Sequence, residues 1–206
     1  REAYGTSGPR IVVRFFGGWD YAQDLCADPD LAARGYAGGV AMGGELHSLP
    51  KPPRGSAPTA PAFVVSALAD AGAEGEPGTA LQRIQIVKGW LTGDASFERV
   101  YDVAGGENGA QVDPASCETS GPGSATLCSV WRDPDFDPAE HAFYYARVIE
   151  NPTCRWSQKL CLGAGVRCGE PESVPEGFEP CCSAEHRPVI QERAWTSPIW
   201  YRPGDR

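Results

Sequence analysis

The chain has few basic residues. Lys and Arg together number 18 against 27 Asp and Glu, so the formal net charge is -9 and the isoelectric point lies near 4.8. Such a chain repels phosphate backbones and anionic lipid surfaces. It also has no apolar run approaching the ~20 residues that a membrane-spanning helix needs. We therefore expect no nucleic-acid partner and no membrane span.

The chain is also poor in the residues and motifs that usually carry catalysis. Its three histidines, His47, His141 and His186, are far apart, and none has HExxH or His-x-His spacing. There is no G-x-S-x-G elbow, no G-x-G-x-x-G loop and no Walker loop. The sequence thus gives no anchor for a zinc hydrolase, a serine hydrolase or a nucleotide-binding protein.

A start signal is missing as well. The only methionine is Met42, and no charged segment with an apolar core and a small-residue cleavage site precedes the first strand. These features are typical of a processed chain or a fragment. We favour a fragment whose catalytic part lies upstream.

Apolar and turn-forming residues, by contrast, are abundant. The hydrophobic share of 41% argues against disorder, while 25 glycines and 19 prolines indicate many turns and loops. About seven short strands without a clear amphipathic helix predict an all-β fold, an immunoglobulin-like antiparallel β-sandwich. The predicted strands lie near residues 10–16, 62–69, 81–90, 97–103, 125–131, 142–150 and 189–201.

Three long connections interrupt these strands. Residues 17–61 include a helical turn around 31–34 and a Pro/Gly-rich run from 49 to 61, and residues 104–124 are rich in Gly and Ser. Residues 152–188 form a Cys-rich insertion with few strand signals, and loops of that length are usually functional or cross-linked. Because hydrophobic content does not drop at any linker, we predict one β-sandwich domain over residues 10–206 that contains this insertion.

Eight cysteines are the main covalent signal. From residue 154 onward their spacing is C-x6-C-x6-C-x12-C-C, without the CxxC pairs that zinc sites favour, so disulfides are favoured over metal. Disulfides in turn indicate an oxidising compartment, and we expect a periplasmic or secreted protein. The candidates are Cys26, Cys117, Cys128, Cys154, Cys161, Cys168, Cys181 and Cys182.

The spacing also suggests some of the pairs. Cys117 and Cys128 flank a Gly-Pro-Gly turn and are candidates for a local bond. Adjacent Cys181 and Cys182 are expected to reach two different partners among the three cysteines between 154 and 168. Cys26, or another thiol, would then need a distant partner, and the sequence leaves open which one.

Six motifs carry a resemblance to a known family. In chain order they are YGTSGPRI at 4–11, FFGGWD at 15–20, IQIVKGW at 84–90, DPDFDP at 133–138, FYYARV at 143–148 and RAWTSPIWY at 193–201. Together they resemble the C-terminal third of the domain-of-unknown-function family 3604. This is a set of bacterial, mostly exported proteins that are distantly similar to the PHP (polymerase and histidinol phosphatase) metallohydrolases.

The resemblance implies a metal-binding barrel followed by a β-sandwich tail. Residues 1–9 would be the end of the barrel, and its divalent metal and ligands would lie upstream, with no cofactor in this segment. Tyr4, Thr6, Ser7 and Arg10 would then border the active site, where the planar fork of Arg10 suits a phosphate or carboxylate. The alternative is that Thr-Ser-Gly-Pro is an ordinary turn before a strand.

The acidic segment after residue 132 allows two interpretations. Asp133, Asp135, Asp137 and Glu140 are spaced as in some calcium loops, because hard cations bind several oxygens arranged in a ring. The segment lacks the glycine and the terminal glutamate of an EF-hand. Asp and Pro also dominate ordinary turns, and we favour a turn.

Tryptophans suggest how the domain is used. Trp19, Trp195 and Trp200 lie in the family motifs and are expected to pack against the missing barrel. The predicted function is therefore the non-catalytic C-terminal β-sandwich of an exported PHP-like metal-dependent hydrolase, acting on a small-molecule ester, carbamate or phosphoester. The alternative is an extracellular immunoglobulin-like binding or adhesion module, in which exposed aromatics would bind carbohydrate.

Overall fold

A computed structural model of the protein describes residues 2–49 and 59–204. Most of the predicted Pro/Gly-rich run at 49–61 lies outside these residues. The helices are α1 (Leu31–Gly38) and α2 (Trp156–Gly163), with 3-10 turns at Leu25–Ala27, Pro171–Ser173 and Glu179–Cys182. The strands are β1 (Tyr4–Thr6), β2 (Val12–Gly18), β3 (Gly39–Ala41), β4 (Glu45–His47), β5 (Ala62–Leu68), β6 (Gly72–Ala73), β7 (Glu76–Pro77), β8 (Leu81–Thr92), β9 (Ala95–Gly105), β10 (Gln111–Val112), β11 (Thr119–Ser120), β12 (Thr126–Arg132), β13 (Ala142–Glu150), β14 (Thr153–Cys154), β15 (Val189–Ile190), β16 (Arg193–Thr196) and β17 (Ile199–Arg202).

Two sheets form the sandwich. In the seven-stranded sheet, β13 is central: it pairs with β16 and β17 on one side and with β8 on the other, while β1, β4 and β9 lie at the edges. The four-stranded sheet has the order β12-β5-β2-β3. Pairing is antiparallel throughout both sheets except between β17 and β4, which run parallel. The predicted all-β antiparallel sandwich is confirmed.

Three of the predicted strands are found close to their predicted limits. Strands β5, β12 and β13 match the predictions at 62–69, 125–131 and 142–150 within a residue or two. The prediction of one strand over 189–201 is wrong, because the segment divides into β15, β16 and β17. Pro198 stands between β16 and β17 and has no N–H to give to a ladder. The helical turn expected at 31–34 is extended to Gly38 as α1, and α2 was not predicted.

The main core lies between the two sheets. Phe15 and Phe63 of the four-stranded sheet stack with ring centroids 5.8 Å apart, and Phe63 meets Tyr144 of β13 at 4.2 Å. Ile84 and Ile86 of β8 are fully buried beside them, as their alternation predicts. Each such side chain contributes about 1.5–3 kcal/mol through removal of apolar surface from water.

A second, smaller apolar cluster covers the outer face of the four-stranded sheet. Phe16, Tyr21 and Leu25 are buried there beneath α1 and the 3-10 turn at Leu25–Ala27. Gly35 lets α1 approach, because a Cβ at this position would lie 2.4 Å from Cδ2 of Phe16. The four-stranded sheet is therefore covered on both faces.

Four disulfides cross-link the fold. The expected local bond between Cys117 and Cys128 is wrong: β12 turns Cys128 toward the 3-10 turn that carries Cys26, and these two are bonded across 102 residues. Cys117 is bonded instead to Cys154 at the start of the insertion.

The insertion contains the remaining two bonds. Cys161 of α2 is bonded to Cys181, and Cys168 to Cys182. The expectation that the adjacent cysteines reach different partners is therefore confirmed. Four disulfides are typical of proteins from oxidising compartments. Among residues 2–49 and 59–204, no helix has the length and apolar character needed to cross a bilayer.

Candidate functional site

The N-terminal segment is part of the seven-stranded sheet. Strand β1 pairs with β16, with Gly5 opposite Trp195 and Thr6 opposite Ala194. Beyond the strand, the backbone N–H of Ser7 donates to the carbonyl of Arg193 at 3.0 Å. The Ser7 hydroxyl donates to the carboxylate of Glu192 and accepts from the Arg193 N–H at 2.9 Å. We call residues 4–10 the N-terminal segment, and its first four residues are thus held to the sheet by hydrogen bonds.

Arg10, at the end of this segment, is bonded to Asp70 and Gly72. Its backbone N–H donates to Asp70 Oδ2 at 2.7 Å, and its guanidinium lies 3.3 Å from Asp70 Oδ1 and donates to the Gly72 carbonyl at 3.0 Å. Hydrogen bonds from the Arg10 and Gly72 backbone N–H groups, followed by the Arg10 side chain, lower the pKa of Asp70 to about 2. The structure therefore places Tyr4, Thr6 and Ser7 along one edge. Arg10 lies beyond them, with its side chain bonded to the domain's own groups.

Glu150 is a buried carboxylate close enough to Glu192 and Asp70 to be repelled by them. Glu150 of β13 is only 2% exposed, and its Oε1 has no hydrogen-bond partner among the described residues. Burial, followed by repulsion from Glu192 and Asp70, raises the pKa of Glu150 to about 7. These are the same carboxylates that accept hydrogen bonds from Ser7 and Arg10.

The acidic segment after residue 132 is occupied by protein donors. Asp133 is buried between the sheets, where its Oδ2 lies 2.6 Å from Lys88 Nζ and accepts from the Tyr144 hydroxyl at 2.7 Å. Oδ2 of Asp135 accepts from Arg99 at 2.6 Å and from the Tyr101 hydroxyl at 2.7 Å. Hydrogen bonds from Tyr101 and Arg99 hold the pKa of Asp135 below its usual range. Both carboxylates thus have cationic and hydroxyl partners of their own.

The other two acidic residues point to different donors. Asp137 Oδ1 accepts from the Ala139 N–H at 2.8 Å, which closes a turn, and Glu140 Oε1 accepts from the Thr92 hydroxyl at 2.5 Å. Within the described part of the chain, no three or more His, Cys, Asp or Glu side chains are grouped as metal ligands. The four carboxylates thus accept from separate protein donors, and the bond between Asp137 and Ala139 is a turn of the kind that Asp favours.

The outer face of the seven-stranded sheet carries aromatic side chains. Phe143, Tyr145 and Arg147 alternate along β13 with core residues, and they point away from the four-stranded sheet. Trp195 lies opposite Arg147 and Trp200 opposite Phe143, so all five share this surface, which we call the aromatic face. Trp195 and Trp200 remain 38% and 44% exposed.

A groove of about 600 Å³ lies at one end of the aromatic face. Its floor is Gly89, over which the ring of Phe143 lies so closely that a Cβ would come within 2.3 Å of the ring. Trp200, Leu91 and His141 line it, together with Phe97, which is paired with Trp90 across β8 and β9 and stacks on its ring. The lining is mainly apolar, as is common for binding sites.

Trp19, the third family-motif tryptophan, and His186 lie elsewhere. Trp19 packs edge-on against Phe136 and Tyr201, with centroids 5.9 and 6.1 Å away, so it does not belong to the aromatic face. His186 contacts Gln158 at 2.7 Å within the insertion. Sequence reasoning named Trp195 and Trp200 but missed Phe143, Tyr145 and Arg147, which share their face; the alternation along β13 was a usable signal.

Comparison with known proteins gives a family match. The sequence model described as "Protein of unknown function (DUF3604)" matches residues 1–203, which is nearly the whole chain. No curated protein and no solved structure matches significantly. The motifs quoted from both ends of the sequence fall within the matched range, and the chain therefore belongs to the DUF3604 family of proteins of unknown function.

Proposed function

We propose that this chain is the non-catalytic C-terminal β-sandwich of a bacterial, exported, PHP-like metal-dependent hydrolase. It supports a catalytic barrel upstream and borders its active site. The substrate class is a small molecule with an ester, carbamate or phosphoester bond. A divalent metal in the barrel would activate water for attack on that bond.

The observation that carries this proposal is the attachment of the N-terminal segment. A flexible linker would be free of the sheet, whereas Gly5 and Thr6 form β1, and Ser7 and Arg10 are bonded to Glu192 and Asp70. A domain joined to such a segment would be held in a fixed orientation. Tyr4 and Thr6 would then lie at its boundary, where the family resemblance places the rim of the active site.

The residues described here do not fit a catalytic metal. No group of three potential ligands lies together among them, and Asp133 and Asp135 already have basic and hydroxyl partners. We therefore assign the metal to the upstream barrel and derive no step through it on this chain. The role of this domain is structural, in positioning the barrel and its rim.

The disulfides support the export part of the proposal. Cys26–Cys128 and Cys117–Cys154 join distant parts of the fold, and such bonds form and persist in oxidising compartments. A periplasmic or secreted location fits this chemistry. Expression with and without an export signal, followed by counting free thiols, tests it: the exported protein should have none, and reduced thiols in the native protein would contradict it.

A second candidate function is favoured by the groove. Trp200 lines the groove and is partly exposed, and an exposed aromatic ring offers an apolar surface on which a sugar ring can stack. An extracellular module that binds carbohydrate would use this groove. Saccharide binding that is lost in Trp200→Ala and kept in Trp156→Ala would favour this function, because Trp156 lies on α2 outside the groove.

The gene itself provides the experiment for the primary proposal. The reading frame upstream of Arg1 should remain open and encode a further domain with clusters of His and Asp. A start codon and an export signal immediately before Arg1 would contradict the proposal.

A further inference from the structure

We propose that the aromatic face is the surface on which the upstream catalytic domain docks. This inference rests on the proposed function and adds to it the interface and the chemistry of the partner surface. The partner is a predominantly apolar, uncharged surface of the same polypeptide, and the groove beside Trp200 receives one of its apolar side chains.

The two sheets are covered unequally. The outer face of the four-stranded sheet has its own layer, in which α1 buries Phe16 and Tyr21. The outer face of the seven-stranded sheet instead exposes Trp195 and Trp200 to 38% and 44%. Clusters of exposed Trp with Tyr and Arg are typical of interface centres, where they contribute most of the binding free energy.

The position of β1 selects the partner. Gly5 is paired directly with Trp195, so β1 forms the edge of the sheet that bears the aromatic face. Any polypeptide that precedes Glu2 leaves from this edge. A domain held there by the fixed N-terminal segment lies next to the aromatic face, and docking on it needs no long linker.

Most charged groups on this face already have partners, and Glu98, which lines the groove, is exposed. Arg147 Nε donates to Gln85 Oε1 at 2.8 Å, and Gln85 Nε2 donates to Asp102 Oδ1 at 2.7 Å. Arg202 is paired with Glu45 at 3.0 Å. Burial of these groups by a partner therefore leaves few of them unsatisfied, whereas unpaired charges would oppose docking.

Arg193 also has its hydrogen-bond partner within the domain. Its guanidinium donates to the Gln191 carbonyl at 3.1 and 3.2 Å and lies 5.9 Å from the ring of Trp195. Because these interactions are internal, the partner need not supply acidic groups. Docking should accordingly depend little on salt, since screening acts mainly on charges exposed across an interface.

The groove is a pocket in the aromatic face that can bind a side chain of the partner. Gly89 allows the Phe143 ring to lie close against the sheet beside Trp200, where the groove begins. With about 600 Å³ it is large enough for a bulky apolar side chain of the partner. An aromatic-walled pocket filled by one anchor residue is a common arrangement at interface centres.

Oxidative footprinting of tryptophans tests the docking surface directly. The 206-residue chain and the longer polypeptide encoded by its gene are exposed to hydroxyl radicals, and each Trp-containing peptide is quantified by mass spectrometry. Trp195 and Trp200 should be modified several-fold more slowly in the longer polypeptide. Trp156, which is 75% exposed and lies on α2, serves as the internal control and should react equally in both.

Variants extend the test to coupling between the domains. In the longer polypeptide, combined Trp195→Ala and Trp200→Ala should split one cooperative unfolding transition into two. Trp156→Ala should leave the transition single, and 0.5 M salt should not change the footprint of the unmodified protein. In the isolated chain the double variant loses only the packing of these partly buried rings within the domain, and the fall in its unfolding temperature is the baseline for the longer polypeptide.

Three other outcomes would each overturn part or all of this inference. Equal reactivity of Trp195 and Trp200 in the two proteins would overturn the docking surface while leaving the hydrolase proposal standing. A dimer of the isolated chain with both tryptophans protected would assign the face to a second copy and overturn our choice of partner. An upstream reading frame that encodes no further domain would overturn the proposed function together with this inference.

Discussion

Replacement of Glu150 by glutamine should stabilise the protein at alkaline pH and change its stability little at acidic pH. Glu150 is 2% exposed, and its Oε1 lacks a hydrogen-bond partner among the described residues. Burial and the nearby carboxylates of Glu192 and Asp70 favour the protonated form. Glutamine copies the shape of that neutral form without being able to ionise.

The sign follows from the two pKa values of Glu150. Its pKa is raised from 4.5 to about 7 in the folded protein. Between these values the unfolded chain loses the proton while the folded protein keeps it, so the free energy of unfolding falls as the pH rises. The stability contributed by the protonated group is fully present below about pH 4.5 and is lost above about pH 7.

The magnitude follows from the same numbers. One pKa unit corresponds to about 1.4 kcal/mol, so a pKa raised from 4.5 to about 7 disfavours the ionised folded form by about 3 kcal/mol. Relative to the wild type, Glu150→Gln should therefore gain up to about 3 kcal/mol in free energy of unfolding at pH 8 and less than about 1 kcal/mol at pH 5.

Urea unfolding followed by tryptophan fluorescence at both pH values measures this difference. Glu176→Gln, at an exposed position in the insertion, is the matched control and should show no pH-dependent gain. If Glu150→Gln gives the same change at pH 5 and pH 8, the carboxyl is not held protonated by its surroundings and the reasoning is refuted.

Three further substitutions test other parts of the fold. Because the pKa of Asp70 is lowered to about 2, Asp70→Asn should lower the thermal midpoint above pH 4, and the difference from wild type should vanish as the pH falls through 2; a constant difference would contradict this. Asp133→Ala leaves Lys88 buried without its partner and should cost about 3–5 kcal/mol in urea unfolding, part of which Lys88→Met should restore; a loss below about 1 kcal/mol would show that the pair is not buried as described. Replacement of Cys26 and Cys128 by serine should cost about 4 kcal/mol, because this bond closes a loop of 102 residues, and an unchanged urea midpoint would count against it.

Local sequence signals predicted most of the sandwich. The segment 142–150 is apolar at nearly every position, and it is the central strand β13 with neighbours on both sides. The predicted strand at 81–90 is found as β8, which carries the core residues Ile84 and Ile86. These predictions succeeded because strand periodicity and turn residues are properties of neighbouring residues in the chain.

Features that depend on tertiary pairing were not predictable. Cys117 and Cys128 are close in sequence, but β12 presents Cys128 to a 3-10 turn about a hundred residues earlier, where Cys26 lies. The family motifs likewise grouped Trp19 with Trp195, whereas Trp19 packs against Phe136 and Tyr201. Which face of a sheet a side chain occupies depends on strand register, and the register between distant strands is not contained in local patterns.

The candidate site was only partly visible in the sequence. The motif around Arg10 marked the N-terminal segment, but its attachment to Asp70 joins groups 60 residues apart. The spacing of Asp133 and Asp135 resembled a cation loop, and only the structure provides their partners Lys88 and Tyr101. These donors come from distant strands, and local spacing carries no information about them.

Hydrolytic activity with and without the upstream polypeptide tests the central claim most directly. The purified 206-residue chain and the longer gene product are supplied with Zn²⁺ or Mn²⁺ and assayed for bound metal and for hydrolysis of ester, carbamate and phosphoester substrates. The account predicts that the longer protein binds metal and turns over one of these classes, whereas the isolated sandwich does neither. Stoichiometric metal and turnover in the isolated chain would contradict it.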